Sequence, residues 1–184
     1  MVRVTVAGHD TVAAAAACEA ALDTIESVEE QLSMFLPSSA LSRLNCDGRI
    51  ADPPEHLRRC MTRALELAEA TGGAFDPTVE PVLAAVRDAF EKTGAAPSDE
   101  VLAAARANVG FRRVHVGTGE ITLDPGTRVT LNGIGKGYAM DRAREALEAR
   151  GVSQVLVAAS GDMAVGNGPW KIALRDPNDA TQVV

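Results

Sequence analysis

The sequence predicts an α+β fold, a mixed sheet packed with helices. Three observations point there. Helix-like and strand-like stretches arrive in separate runs, whereas a doubly wound fold alternates them. Apolar residues make up 46% of the 184-residue chain but aromatics only 3%, so the core has to be assembled mainly from Ala, Val and Leu. No internal repeat, linker or low-complexity tract interrupts the chain, and residues 1–184 are therefore expected to form a single domain with its own core.

Residues 2–7, VRVTVA, alternate with period two and predict a strand. From 11 to 32 the chain is rich in Ala, Glu and Leu without Gly or Pro, which predicts one long helix with Asp10 or Thr11 as N-cap. Pro37 opens a turn in which Ser38 or Ser39 can cap a short helix reaching Asn45. The stretch CDGRIADPP reads as a loop. A second helix follows over 54–70, with Pro53 and Pro54 at its start and Gly72-Gly73 as its stop.

Proline excludes a helix interior for AFDPTVEP, and two short helices are expected over 80–92 and 98–107. RRVHV, GEITL and TRVTL then predict strands, with GTG and DPGT as tight turns. A helix from about 137 to 150 stops at Gly151. SQVLVA and PWKIAL predict two closing strands around the turn region SGDMAVGNG. A strand ending so near Val184 predicts a fold that is incomplete at the C-terminus.

The net charge of −7 and pI of about 5.0 argue against a nucleic-acid or anionic-membrane surface. Cys18, Cys46 and Cys60 are widely spaced with no C-x-x-C pair, a poor zinc site and a poor disulfide framework. His56 and Cys60 share a helical face at i,i+4, but two ligands do not make a structural metal site. No apolar run approaches a transmembrane span. VAAAAAC, ending at Cys18, resembles a lipoprotein cleavage site, yet His9 and Asp10 interrupt the segment before it. Without a visible signal the expected compartment is the cytoplasm, or an extracytoplasmic one if the N-terminus is truncated.

The chemistry concentrates in TLNGIGKGYAMD, residues 130–141, where Gly133, Gly135 and Gly137 surround Lys136. A Walker loop would need glycine at Thr130 and a hydroxyl after Lys136, where Gly137 stands. The dinucleotide fingerprint fails too, because its third glycine falls one residue early. Two readings stay open. One is a helix N-terminus beside a cation, which favours an anion. The other is a turn that needs glycines for positive φ, with Lys136 merely solvated.

His9, His56 and His115 are scattered, no Ser sits in a Gly-x-Ser-x-Gly elbow, and no catalytic residue can be assigned. Most carboxylates, such as Glu26, Glu66, Glu145 and Glu148, fall at helical spacing and read as solvated faces. Three stretches stand apart: SMFLPSSALSRLN (33–45), TGGAFDPTVEP (71–81) and the glycine loop. Two aromatics, a carboxylate and a lysine at a glycine turn suit a nucleotide cofactor, whose rings need stacking surfaces and whose pyrophosphate needs positive potential.

In order, these stretches resemble the FAD:protein FMN transferase family, also called ApbE. The similarity rests on SxLxRLN after a serine–aromatic turn, on TGGAFDPTV with a following proline, and on GIxKGYAxD opening a helix. It continues in Gly161-Asp162, Pro169-Trp170 and Arg175 to Pro177. The resemblance implies an ApbE-like alpha-beta roll, with 1–184 as the N-terminal and central part of one flavin transferase domain. It implies transfer of FMN from FAD to a Ser or Thr hydroxyl of a partner flavoprotein, with Mg2+ and with release of AMP. A catalytically inactive FAD-binding or scaffold protein of the same fold is the alternative.

By the same resemblance Phe35 packs on the flavin nucleotide, and Ala74, Phe75 and Asp76 form the FAD-contacting AFD segment. Lys136 touches FAD, and the Gly133 carbonyl helps hold the metal. Thr130 stands where the family has an aspartate contact to FAD, and Ser160 where it has the first glycine of a Gly-Gly-Asp turn. The family's opening MGT, its later HIIDPxTG and its final Asp/Thr metal-binding segment have no counterpart in these residues. Nor does an acceptor motif of the Ser/Thr-Gly-Ala-Ser/Thr type, so self-flavinylation is not expected.

Overall fold

The computed structural model describes residues 2–8 and 10–173; Arg175 to Pro177 lies outside the described residues. The elements run β1 (Val2–Val6), α1 (Thr11–Leu32), α2 (Ala40–Asp47), β2 (Arg49–Ala51), α3 (Glu55–Ala70), α4 (Glu80–Thr93) and α5 (Asp99–Arg106). Then come β3 (Val114–Val116), β4 (Glu120–Leu123), α6 (Gly135–Glu148), β5 (Val155–Ala159) and β6 (Asp162–Val165). The α+β class holds. The strands are divided between two three-stranded sheets, and every pairing among the described residues is antiparallel.

The chain divides into two compact units, Met1–Leu22 with Met140–Val184 and, separately, Asp23–Ala139; the divisions fall inside α1 and α6. In the first unit the sheet order is β1-β5-β6, with Val4 opposite Val157 and Val157 opposite Ala164. Val155 and Val157 are buried, as are Ala143 and Leu147 of α6. Ser160 and Gly161, at φ 49° and 97°, form a two-residue hairpin between β5 and β6. Positive φ at both central positions matches the right-handed twist of the paired strands. That turn corrects the expected closing strand: the chain doubles back at once, so the second partner of β5, beside β1, is 162–165, and residues 169–173 of the expected PWKIAL strand belong to no strand, its last residue lying outside the described residues.

The second unit holds the sheet β2-β4-β3, with Ile50 opposite Ile121 and Ile121 opposite Val116. Its core joins Val28 of α1, Leu41 and Leu44 of α2, Leu57 and Met61 of α3, Ile121 of β4, and Val129 and Leu131. Ser39 caps α2 by accepting the Ser42 N–H, and Ser98 caps α5 by accepting the Val101 N–H. The loop expected over CDGRIADPP contains β2. Gly48, at φ 69°, ends α2 and turns the chain into β2, and cross-strand pairing with β4 rather than local pattern makes these three residues a strand.

The strand expected at TRVTL is absent: residues 127–131 form no strand. Their backbone groups are satisfied outside a ladder. The Val129 N–H donates to Asn45 Oδ1 at 2.7 Å, Asn45 Nδ2 donates to the Val129 carbonyl at 2.8 Å, and the Thr130 N–H donates to the Pro77 carbonyl at 2.7 Å. One side-chain amide thus does the work of a neighbouring strand. Asn45→Ala leaves both backbone groups of buried Val129 without that partner and is expected to cost roughly 1–3 kcal/mol, read as a fall in the urea midpoint with an unchanged slope.

Candidate functional site

The second unit brings the three singled-out stretches together around the start of α6. The Pro77–Thr130 hydrogen bond ties the 71–81 stretch to the segment leading into the glycine loop. A Cβ placed on Gly133 would lie 3.2 Å from Phe75 Cε2, so the aromatic ring sits directly against the Gly133 backbone. From the other stretch, Met34 Sδ accepts from Asn132 Nδ2 at 3.1 Å and from Thr130 Oγ1 at 3.6 Å. A polarizable thioether therefore joins the serine–aromatic turn to the loop.

Phe35 is 78% exposed, a conspicuous place for one of the chain's few aromatics. Its turn is rigid beneath it. The Phe35 N–H donates to Ser33 Oγ, and the Ser33 carbonyl accepts the hydroxyls of Ser39 and Ser42. Ala74 is exposed and Phe75 half-buried, with the Phe75 N–H donating to Thr71 Oγ1 at 3.1 Å. Thr130 is buried, while Gly133 and Lys136 are exposed. Lys136 occupies the second position of α6, whose first-turn N–H groups of Gly135 and Tyr138 donate to the Leu131 and Ile134 carbonyls; a helix start beside a cation favours an anion in general.

Asp76 is committed within the protein. Its Oδ1 accepts the Thr78 N–H at 2.8 Å and the Thr78 hydroxyl at 2.6 Å, and its Oδ2 accepts the Phe111 N–H at 3.0 Å. Thr78 Oγ1 in turn accepts the Gly110 N–H at 2.7 Å. The carboxylate therefore braces the AFD turn against the segment entering β3.

The glycine conformations speak against the reading of the loop as a positive-φ turn. Gly133, Gly135 and Gly137 are absent from the positive-φ residues, so none is there for conformational freedom. At Gly133 a Cβ would press on the Phe75 ring at 3.2 Å, which would have to give by a few tenths of an ångström. Gly137 faces nothing within 4 Å, and at Gly135 the nearest atom is Leu131 Cβ at 4.0 Å. Glycine inside a helix costs about 1 kcal/mol relative to alanine. At Gly137 neither backbone geometry nor packing offsets that cost, and the effect is a bare, accessible backbone at the helix start.

Some members of this neighbourhood carry no sequence signal. His56 and Tyr138 meet with Nδ1 and the hydroxyl 3.1 Å apart. Glu80, at the start of α4, is buried with Oε1 accepting from Arg87 Nη2 at 2.6 Å, and its Oε2 has no hydrogen-bond partner among the described residues. Cys60 lies in the core, where burial pushes its thiol up to about 12. With no metal present it remains a protonated thiol at neutral pH. Asp76→Ala deprives three donors of their charged acceptor, and a loss of roughly 1.5–3 kcal/mol of stability is expected. Thermal unfolding without any ligand checks this.

Comparison with known proteins gives these stretches a common context. The chain is 28% identical to an FAD:protein FMN transferase of Vibrio cholerae serotype O1 over 84% of this chain and 49% of that one. It is 27% identical to an FAD:protein FMN transferase of Treponema pallidum over 91% of this chain and 54% of that one. It thus spans about half the length of these curated relatives. The crystal structure of the ApbE protein from Thermotoga maritima superposes with a TM-score of 0.81 at 26% identity, over 100% of this chain and 62% of that one. The ApbE family model matches residues 1–184, and the chain belongs to the ApbE family.

Proposed function

We propose that this chain forms the FAD-binding part of an FAD:protein FMN transferase, which moves FMN from FAD to a Ser or Thr hydroxyl of a partner flavoprotein and releases AMP. The names of the relatives support the reaction class. The observation that carries the reading onto these residues is the bare backbone at Gly135 and Gly137 beside Lys136, with the exposed Phe35 on a rigid turn joined to the same loop.

The groups divide the work by their chemistry. Phe35 offers a ring face for stacking on the flavin nucleotide. The α6 start and Lys136 supply positive potential for the pyrophosphate, whose negative charge has to be held while the phosphorus–oxygen bond to AMP breaks. Ala74 and Phe75 present the AFD turn, and Asp76 holds its shape. Thr130, hydrogen-bonded to Met34, is a neutral group where the family carries an aspartate.

Mg2+ is part of the family's chemistry, and Gly133 offers a carbonyl toward it. Among the described residues no group of three or more His, Cys, Asp and Glu side chains could hold a metal ion. A single carbonyl does not make the near-octahedral oxygen shell that Mg2+ demands. The described residues alone therefore do not fit the metal.

The direct test incubates the protein, in its full encoded length, with FAD, Mg2+ and an acceptor flavoprotein, followed by intact mass. A covalent FMN adduct on the acceptor Ser or Thr is expected. Measurable FAD binding with no adduct would leave an FAD-binding protein and overturn the transferase reading. Lys136→Ala is expected to weaken FAD binding by at least tenfold, the worth of one charge-assisted hydrogen bond. Gly137→Ala is expected to raise stability by up to about 1 kcal/mol while weakening FAD binding. Wild-type affinity in that variant would remove the helix start from the contact surface.

A further inference from the structure

We propose that His56 is a positioning residue of the FAD site, a single residue whose backbone N–H and ring tie the aromatic turn and the glycine–lysine helix to one support. This rests on the FAD reading above. His56 is the second residue of α3 and lies in none of the stretches that carry the family resemblance.

Its backbone and its ring reach in two directions. The backbone N–H is one of the first-turn donors that a helix leaves unsatisfied, and here it donates to Gln31 Oε1 at 2.9 Å. Gln31 is the penultimate residue of α1, and the next turn is the one that presents Phe35. The ring meets Tyr138: Nδ1 and the hydroxyl lie 3.1 Å apart, and the rings stand edge to face at 5.8 Å and 75°. Tyr138 is two residues past Lys136 and one past Gly137, in the first turn of α6.

The arrangement compensates for the bare helix start. Gly133 is held by Phe75, but Gly137 has no side chain to fix the first turn against its surroundings. Tyr138 is the next residue able to do so, and a hydrogen bond plus an edge-to-face contact set both the height and the rotation of that turn. His56 thereby aligns the Lys136 side of the site while its N–H holds the root of the Phe35 side. It touches no ligand itself.

The test measures FAD dissociation constants, referred to the folded fraction, for wild type, His56→Ala, Tyr138→Phe, the double variant, His56→Asn and Lys136→Ala. His56→Ala and Tyr138→Phe are each expected to weaken binding by about three- to tenfold. The double variant should be no weaker than the poorer single one, because both remove the same contact. His56→Asn, whose amide places polar atoms near the position of Nδ1, is expected to restore most of the affinity. A merely structural role would lower the melting temperature without moving the constant or giving this rescue. Tyr138→Phe removes one oxygen and no ring, so it reads out the contact even if His56→Ala fails to fold. Wild-type affinity in Tyr138→Phe, with affinity lost in Lys136→Ala, overturns this inference alone. No FAD binding by the wild type overturns the FAD reading and this inference with it.

Discussion

Asn45 holds the arrangement of the second unit in place. The segment 127–131 has to pass through the core to deliver Leu131 and the glycine loop, yet among the described residues no strand pairs with it. Buried backbone groups without partners are costly, and the Asn45 amide satisfies both groups of Val129 in the manner of a strand neighbour. The Pro77 carbonyl takes the next N–H. These bonds set the position of the loop relative to α2 on one side and to the AFD turn on the other. The thioether contact to Met34 and the Phe75 ring under Gly133 follow from that placement.

The site built on this support is rigid below and open above. Asp76, Thr78 and Thr71 fix the AFD turn from beneath, and the Ser33 carbonyl collects two hydroxyls beneath Phe35. By contrast, the surface left exposed is an aromatic ring, a lysine and glycine backbone. Preorganised donors and a bare helix start are what an anionic, ring-bearing ligand needs. On the proposed reading, glycines that no packing or φ requirement explains leave the backbone open to that ligand. Stability and binding pull in opposite directions at Gly137, and the structure there favours access.

The helices were largely legible in the sequence, and the reason is local. α1 spans the residues expected from an Ala-, Glu- and Leu-rich stretch without Gly or Pro, and the Ser39 and Ser98 caps and the Gly94 and Gly151 stops are written within a turn of the ends they make. What failed was non-local. β2 exists because β4 pairs with it, 127–131 lost its ladder to a side chain eighty-four residues away, and the closing strand moved because of a hairpin turn at Ser160. The three motif stretches, far apart in sequence, are joined in the structure by the Pro77–Thr130 hydrogen bond and the Met34 contacts. The three internal donors to Asp76 were not legible, since an acidic residue in a Gly/Pro frame carries no mark of the protein groups it accepts from. The His56–Tyr138 contact had no sequence signal at all, because it joins two helices across eighty-two residues.

The central claim is that Phe35, the AFD turn and the start of α6 form one FAD site. A crystal structure of the protein with FAD tests it most directly. The account predicts the pyrophosphate against the backbone of 135–137 with Lys136 within hydrogen-bonding distance, and a ring of the nucleotide on the face of Phe35. FAD bound with its pyrophosphate away from the α6 start would contradict it.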